Sequence, residues 1–152
     1  MKLVIILSIL ISSLGYTQTK QAKTYQVVKT EKQWKAVLTP MQYYVLRQGG
    51  TEHPFTSKLN KNYKKGIYVC AACKTPLYAS KHKFDSGTGW PSFDKAVKGN
   101  VQLVADYRNS GATELKCAIC GGHLGHIFND GPKETTGKRH CINGAALIFI
   151  AQ

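Results

Sequence analysis

Acidic residues are scarce in this chain: 8 Asp and Glu stand against 21 Lys and Arg, giving a formal net charge of +13 over 152 residues. An excess of that size attracts anionic surfaces and nucleic acid, but it governs solubility and encounter rather than reaction type. The densest basic cluster, Lys58, Lys61, Lys64 and Lys65, is interleaved with Asn60, Asn62 and Tyr63 and reads as a solvated loop. Long apolar runs are also missing. The one candidate, Leu3 to Ile11 behind Lys2, is well short of the ~20 residues that span a bilayer. A basic start, a short apolar stretch and small residues at Ser12, Ser13 and Gly15 have the shape of a signal peptide, expected over residues 1–18. No A-x-A triplet follows, so a retained membrane anchor is the alternative; either way the expected location is exported, periplasmic or secreted. No cysteine lies near that boundary, which excludes lipid attachment to an N-terminal cysteine. Cleavage before Lys20 removes only Lys2, leaving 20 basic and 8 acidic residues, or +12. The charge therefore belongs to the folded part.

The chain also has no low-complexity tract and no internal repeat beyond two similar cysteine pairs. The polar, Lys- and Gln-rich residues 19–29 read as a linker, and residues 30–152 as one domain of ordinary size. Two short helices are expected at its start: Trp34, Val37 and Leu38 recur at helical spacing. Thr39-Pro40 then offers a cap and a first-turn proline ahead of Met41, Tyr44 and Val45, with Gly49-Gly50 as the stop. Beyond them the period changes to two, clearest in Val101, Leu103, Ala105 and Tyr107 against Gln102, Asp106 and Arg108, with Val104 as an exception. Further strands are expected at 67–70, 77–79, 114–117 and 145–150, separated by Gly, Pro, Asn and Asp clusters. The expected fold is mainly β, antiparallel sheets with short N-terminal helices.

Cys70-Ala71-Ala72-Cys73 and Cys117-Ala118-Ile119-Cys120 are two C-x-x-C pairs with 43 residues between them. A two-residue spacer lets both thiolates of a pair point to one centre, and two pairs supply the four soft ligands of a closed tetrahedral zinc site. Such a site has no position for water and is structural. In an oxidising compartment the same four residues also suit two disulfides, or one pair a redox-active dithiol. A thioredoxin-like assignment needs alternating strands and helices around one C-x-x-C, and that pattern is absent.

The fifth cysteine, Cys141, is left over. It is either an inert core thiol or a reactive one, and its neighbours Lys138, Arg139 and His140 are cations that favour a thiolate if they face the sulfur. Behind the second cysteine pair, His123-Leu-Gly-His126 places two imidazoles near each other, suited to acid catalysis, to a second metal, or simply to packing. Trp90, in Gly-Thr-Gly-Trp-Pro-Ser-Phe, is either a core residue or a wall against which a sulfur or methyl group packs.

Together these segments closely resemble methionine-R-sulfoxide reductase B, from about Trp34 to Ile150. The likeness is carried by Thr51-Glu-His-Pro-Phe55, both cysteine pairs, Phe84 to Phe93, His123-Leu-Gly-His126, Asp130-Gly-Pro132 and Arg139 to Ala146. The resemblance implies a mainly β, zinc-stapled fold and a thiol-dependent reduction of the R epimer of methionine sulfoxide. Cys141 is then the nucleophile, His126 the acid with His123 beside it, and Asn143 an ordering residue. Trp90, Phe128 and Arg139 line the substrate site, and Cys70, Cys73, Cys117 and Cys120 hold one zinc. The implied partners are oxidised proteins and a thioredoxin-like reductant, with no nucleic acid, and the protein is expected to be a monomer. Many family members carry a resolving cysteine where this chain has Thr88, and no sixth cysteine replaces it; an external thiol must then reduce the sulfenic acid. Tyrosine is common in the family where this chain has His140. A zinc-ribbon binding module without catalysis is the rival; it leaves Cys141 and the histidines unexplained.

Overall fold

The computed structural model describes residues 24–106 and 112–152. The expected signal peptide, and Tyr107 and Arg108 at the end of one predicted strand, lie outside the described residues. Helices α1 (Glu31–Val37) and α2 (Pro40–Gln48) each begin at a threonine in a reciprocal cap. The Thr30 hydroxyl accepts from the Gln33 N–H while the Gln33 side chain accepts from the Thr30 N–H, and Thr39 and Gln42 repeat the arrangement. Two otherwise orphaned donors are satisfied at each start, and Gly49, left-handed at φ 69°, closes α2. The buried face matches the one the spacing suggested at Trp34, Leu38 and Val45, which enter the core with Leu46, but not at Val37, Met41 and Tyr44, which are exposed. Helices of two turns bury a few side chains, and α2 is set by its packing on the strand that carries the histidines.

Among the described residues nine strands follow: β1 (Gly66–Cys70), β2 (Pro76–Ala79), β3 (Lys83–Phe84), β4 (Ser92–Phe93), β5 (Val101–Ala105), β6 (Thr113–Cys117), β7 (His123–Phe128), β8 (Arg139–Ile142) and β9 (Leu147–Ala151). They form two sheets, ordered β2-β1-β9 and β3-β4-β8-β7-β6-β5. Every pairing among the described residues is antiparallel, so the expected fold class holds. The predicted strand at 145–150 starts later, because Gly144–Ala146 form a 3-10 turn first. On β5 the expected inward face is reversed at Leu103, which is 59% exposed; β5 is the edge of its sheet.

A single core cluster draws on both helices and both sheets, with Tyr68 and Tyr78 packed on Phe93 at centroid distances of 5.0 and 4.3 Å, beside Trp34, Leu115, Leu124 and Ile142. Val27, in the stretch read as a linker, donates its N–H to the Ile119 carbonyl at 3.0 Å, so the chain ahead of α1 lies against the second cysteine pair.

Candidate active site and metal centre

The two cysteine pairs fold alike. Lys74 and Gly121, both with positive φ, each donate a backbone N–H to the carbonyl of the first cysteine of their pair, Cys70 and Cys117. The Cys70 and Cys117 N–H groups donate to the carbonyls of Thr75 and Gly122 in return. Gly121 is needed twice over, since its φ is 71° and a Cβ there would meet the Tyr25 ring at 2.4 Å. The four sulfurs lie within 4.8 Å of one another, with Cys70 and Cys120 at 3.8 Å and Cys73 and Cys117 at 3.5 Å. A tetrahedron with zinc–sulfur bonds of about 2.3 Å has edges of about 3.8 Å, so the set fits that ion. The close pairs run between the two knuckles and all five cysteines are free thiols, which sets aside the disulfide reading. Mutual hydrogen bonding among the four thiols, with Cys117 the first cause in each case, lowers Cys73 and raises Cys70 and Cys120. Since β1 and β6 belong to different sheets, this structural zinc site staples one sheet to the other.

Cys141 sits on β8 between β4 and β7, opposite Ser92 on one side and His126 on the other. Alternation sends Arg139 and Cys141 to one face and His140 and Ile142 to the other. His140 therefore does not assist the sulfur: it is buried against Tyr78, whose hydroxyl lies 3.1 Å from its Nδ1, and burial pulls its pKa down to about 4. Lys138 turns to Asn129 at 2.6 Å. Of the three cations expected near the thiol, only Arg139 reaches it. Burial pushes the Cys141 thiol up, against the Arg139 charge and a hydrogen bond with Thr88.

A cavity of about 150 Å³ opens on this face, lined by Thr51, Trp90, Gly125, His126, Phe128, Cys141 and Asn143. Gly125 is imposed by close approach: a Cβ would lie 2.0 Å from the Cys141 carbonyl oxygen. Trp90 is a wall rather than a core residue, half-buried, with Nε1 donating to the Glu52 carbonyl at 3.1 Å. Arg139 makes a two-pronged ion pair with Asp130 at 2.8 and 2.9 Å and stacks over Phe128 at 4.3 Å. His126 Nε2 pairs with Asp106 Oδ2 at 2.9 Å.

His123 is not brought to this cavity. It is 3% exposed, its Nδ1 lies 2.6 Å from Glu114 Oε1, and its ring meets His126 edge-on at 5.5 Å. Burial lowers its pKa, with Glu114 opposing. Together with Asp106 and Glu114, His123 lines a separate, larger cavity of about 560 Å³.

Sequence reasoning overlooked Glu52 as an individual residue. Its N–H donates to Asn143 Oδ1 at 3.0 Å, its carbonyl holds Trp90, and its buried carboxylate accepts from the Gly144 and Ala145 N–H groups at 2.5 and 2.9 Å. Asn143 Nδ2 in turn donates to the Leu124 carbonyl at 3.0 Å. Glu52→Ala leaves the buried Gly144 N–H and the part-buried Ala145 N–H without their acceptor, and the folded state should lose about 3 kcal/mol, read as a lowered midpoint in urea at unchanged slope.

A model of the SelR domain matches residues 38–151. The chain belongs to this family. It is similar to peptide methionine sulfoxide reductase MsrB of Leptospira interrogans, 53% identical over 127 residues, covering 82% of this chain and 96% of that protein. It is likewise similar to the MsrB protein of Methanosarcina mazei, 52% identical over 131 residues that cover 84% of this chain and 91% of the relative. Peptide methionine sulfoxide reductase B5 of Arabidopsis thaliana is 47% identical over 124 residues, covering 81% and 88%. The span matched by the family model contains both zinc knuckles and all the residues lining the Cys141 cavity.

Proposed function

We infer that the protein reduces methionine sulfoxide of R configuration, chiefly in oxidised proteins, through Cys141. The observation that carries this is the cavity: a lone thiol, an imidazole and two aromatic walls enclose a space below the about 300 Å³ of ordinary small-molecule pockets. It suits the end of one side chain. The indole of Trp90 and the ring of Phe128 receive the S-methyl group, since sulfur and its methyl pack well on aromatic faces. The Cys141 thiolate attacks the sulfoxide sulfur while His126, fixed by Asp106, gives its proton to the oxygen. Oxygen passes to Cys141, yielding methionine and a sulfenic acid. Arg139, held by Asp130, stabilises the thiolate, and Asn143, held by Glu52, orders the end of the nucleophile strand. His123 acts behind His126 rather than on substrate.

With the knuckle cysteines on zinc, Cys141 has no partner thiol in its own chain. A thioredoxin-like dithiol then restores it: the first external thiol forms a mixed disulfide and releases water, and the second frees Cys141. The apolar start of the sequence supports export, signal removed or kept as an anchor, where a dedicated reductant must reach the protein, acting as a monomer. A zinc-ribbon binding module would have no use for the cavity. The test is turnover of separate R and S sulfoxide peptides with a dithiol, alongside a zinc assay. Reduction of R alone by protein carrying one zinc is expected; a zinc-loaded protein inert to both epimers overturns the assignment.

A further inference from the structure

Among the described residues only Phe55 and Lys74 have a positive φ without being glycine. Lys74 closes the first zinc knuckle, where the turn requires it; Phe55 has no such duty. Its φ is 64° and the residue is 67% exposed, so an aromatic side chain is held towards water in a conformation that persists only where its surroundings impose it. Those surroundings are the loop of Trp90. The Phe55 N–H donates to the Gly89 carbonyl at 2.8 Å, and a Cβ on Gly89 would lie 2.9 Å from Phe55 Cδ2. The ring therefore rests on the backbone one residue ahead of Trp90, the aromatic wall of the Cys141 cavity.

Beside Phe55 lies a groove of about 340 Å³, lined by Phe55, Ser57, Lys58, Asn60 and Lys61. Its floor also adjoins the Cys141 cavity. Ser57 packs so closely on Gly144 that a Cβ there would collide with its Oγ, and Gly144 follows Asn143, which lines that cavity. The lysines stand on a loop that is tied down. The Leu59 N–H donates to Ser57 Oγ at 3.1 Å, the Tyr68 hydroxyl to the Asn62 carbonyl at 2.7 Å, and Lys83 Nζ to the Asn60 carbonyl at 2.5 Å while lying 4.1 Å over the Tyr63 ring. Lys58 and Lys61 are themselves exposed, and neither pairs with a carboxylate among the described residues. A merely solvated loop has no need of these ties.

We propose that this groove holds the polypeptide that carries the oxidised methionine, with Phe55 packing on its chain and Lys58 and Lys61 selecting an acidic side chain three or four residues from the sulfoxide. This rests on the reading of the Cys141 cavity as the sulfoxide site. The cavity is sized for the end of one side chain, so the rest of a protein substrate must leave it across the surface. Thr51 lines the cavity and Phe55 the groove; four residues apart, they are separated by at most about 14 Å. An extended substrate chain advances about 3.3 Å per residue and covers that distance in three or four residues. Two unpaired ammonium groups at its end favour a carboxylate over an amide and repel another cation.

The test measures kcat/KM of the zinc-loaded protein on R-sulfoxide peptides of one sequence that carry Glu, Gln or Lys four residues from the oxidised methionine, on each side in turn. On one side Glu should exceed Lys about tenfold at low ionic strength, with Gln between them, and the spread should shrink to about twofold in about 0.5 M salt. The double variant Lys58→Ala, Lys61→Ala should raise KM for the Glu peptide about fivefold at unchanged kcat. Lys32→Ala, Lys98→Ala removes the same charge at exposed residues that line neither groove nor cavity, and should stay within about twofold of the parent. Phe55→Gly, which keeps the left-handed backbone, should lower turnover of all the peptides relative to free methionine sulfoxide about threefold. Equal kcat/KM for the Glu, Gln and Lys peptides on both sides, or equal responses of the two double variants, overturn the proposal. So does a Lys58→Ala, Lys61→Ala protein that loses binding to vesicles of phosphatidylcholine and phosphatidylserine while its peptide kinetics stay unchanged. Fluorescence anisotropy of a labelled Glu peptide on Cys141→Ser protein needs no turnover. Binding there that depends on Lys58 and Lys61 upholds the groove even if the parent is inert to both epimers, the result that would refute the reductase reading.

Discussion

Cys141→Ser should give a folded, zinc-loaded protein that reduces methionine sulfoxide at least about 10⁴-fold more slowly than the parent, since removing the nucleophile of a covalent mechanism removes the path itself. The sulfur is the atom oxidised, and a serine oxygen cannot take up and return oxygen in its place. Folding should survive because Cys141 is half-buried and faces the cavity, while its strand neighbours His140 and Ile142 hold the core side. The knuckles are on other elements and their four sulfurs are unchanged. The measurement is methionine released from an R-sulfoxide peptide with excess dithiol, with circular dichroism and zinc content on the same sample. Turnover within tenfold of the parent would show that another thiol, necessarily a knuckle cysteine, does the chemistry.

That expectation also marks how far the sequence could be read. Spacing alone picked out the two knuckles, and counting cysteines singled out Cys141; both are one-dimensional patterns. What the residues around Cys141 do is a matter of pairing. Lys138, Arg139 and His140 look equivalent in sequence, yet β alternation and the pairing of β8 with β4 and β7 give only Arg139 to the thiol and bury His140 on Tyr78. His123 and His126 look equally suited to acid catalysis, yet the fold gives only His126 to the Cys141 cavity and buries His123 against Glu114. Glu52, Asp106 and Glu114 carried no local signal. They are carboxylates buried by tertiary contact, each bound to a site residue or to the backbone beside one. β6 shows why periodicity fails there: Leu115 and Cys117 are buried on one face and Glu114 on the other, so both faces are covered and the alternation of apolar and polar no longer reports depth. β7 and β8 escaped notice as strands for a related reason, since site chemistry places His, Gly and Arg where a strand pattern would want β-branched residues.

Cys70→Ser should cost the protein its zinc and with it the folded domain. A serine hydroxyl is a poor ligand for a site built from four thiolates, and Cys70 is fully buried at the end of β1, 3.8 Å from Cys120 across the knuckles. Zinc bound by four cysteines supplies roughly 10–16 kcal/mol in small metal-dependent folds, against a total stability of about 5–15 kcal/mol for an ordinary domain. The metal term is as large as the whole. Here it also joins sheets that otherwise meet through one shared core, closing a loop of 43 residues between Cys73 and Cys117. The variant should be found insoluble or without a cooperative thermal transition, and the parent should lose its transition in parallel with zinc when a strong chelator is added at rising temperature. Because the Cys141 cavity is assembled from β7, β8 and the loops at 51 and 90, activity should vanish with the fold and not before it. A soluble, metal-free Cys70→Ser protein that still reduces R sulfoxide would make the knuckles dispensable and return their sulfurs to the list of possible electron carriers.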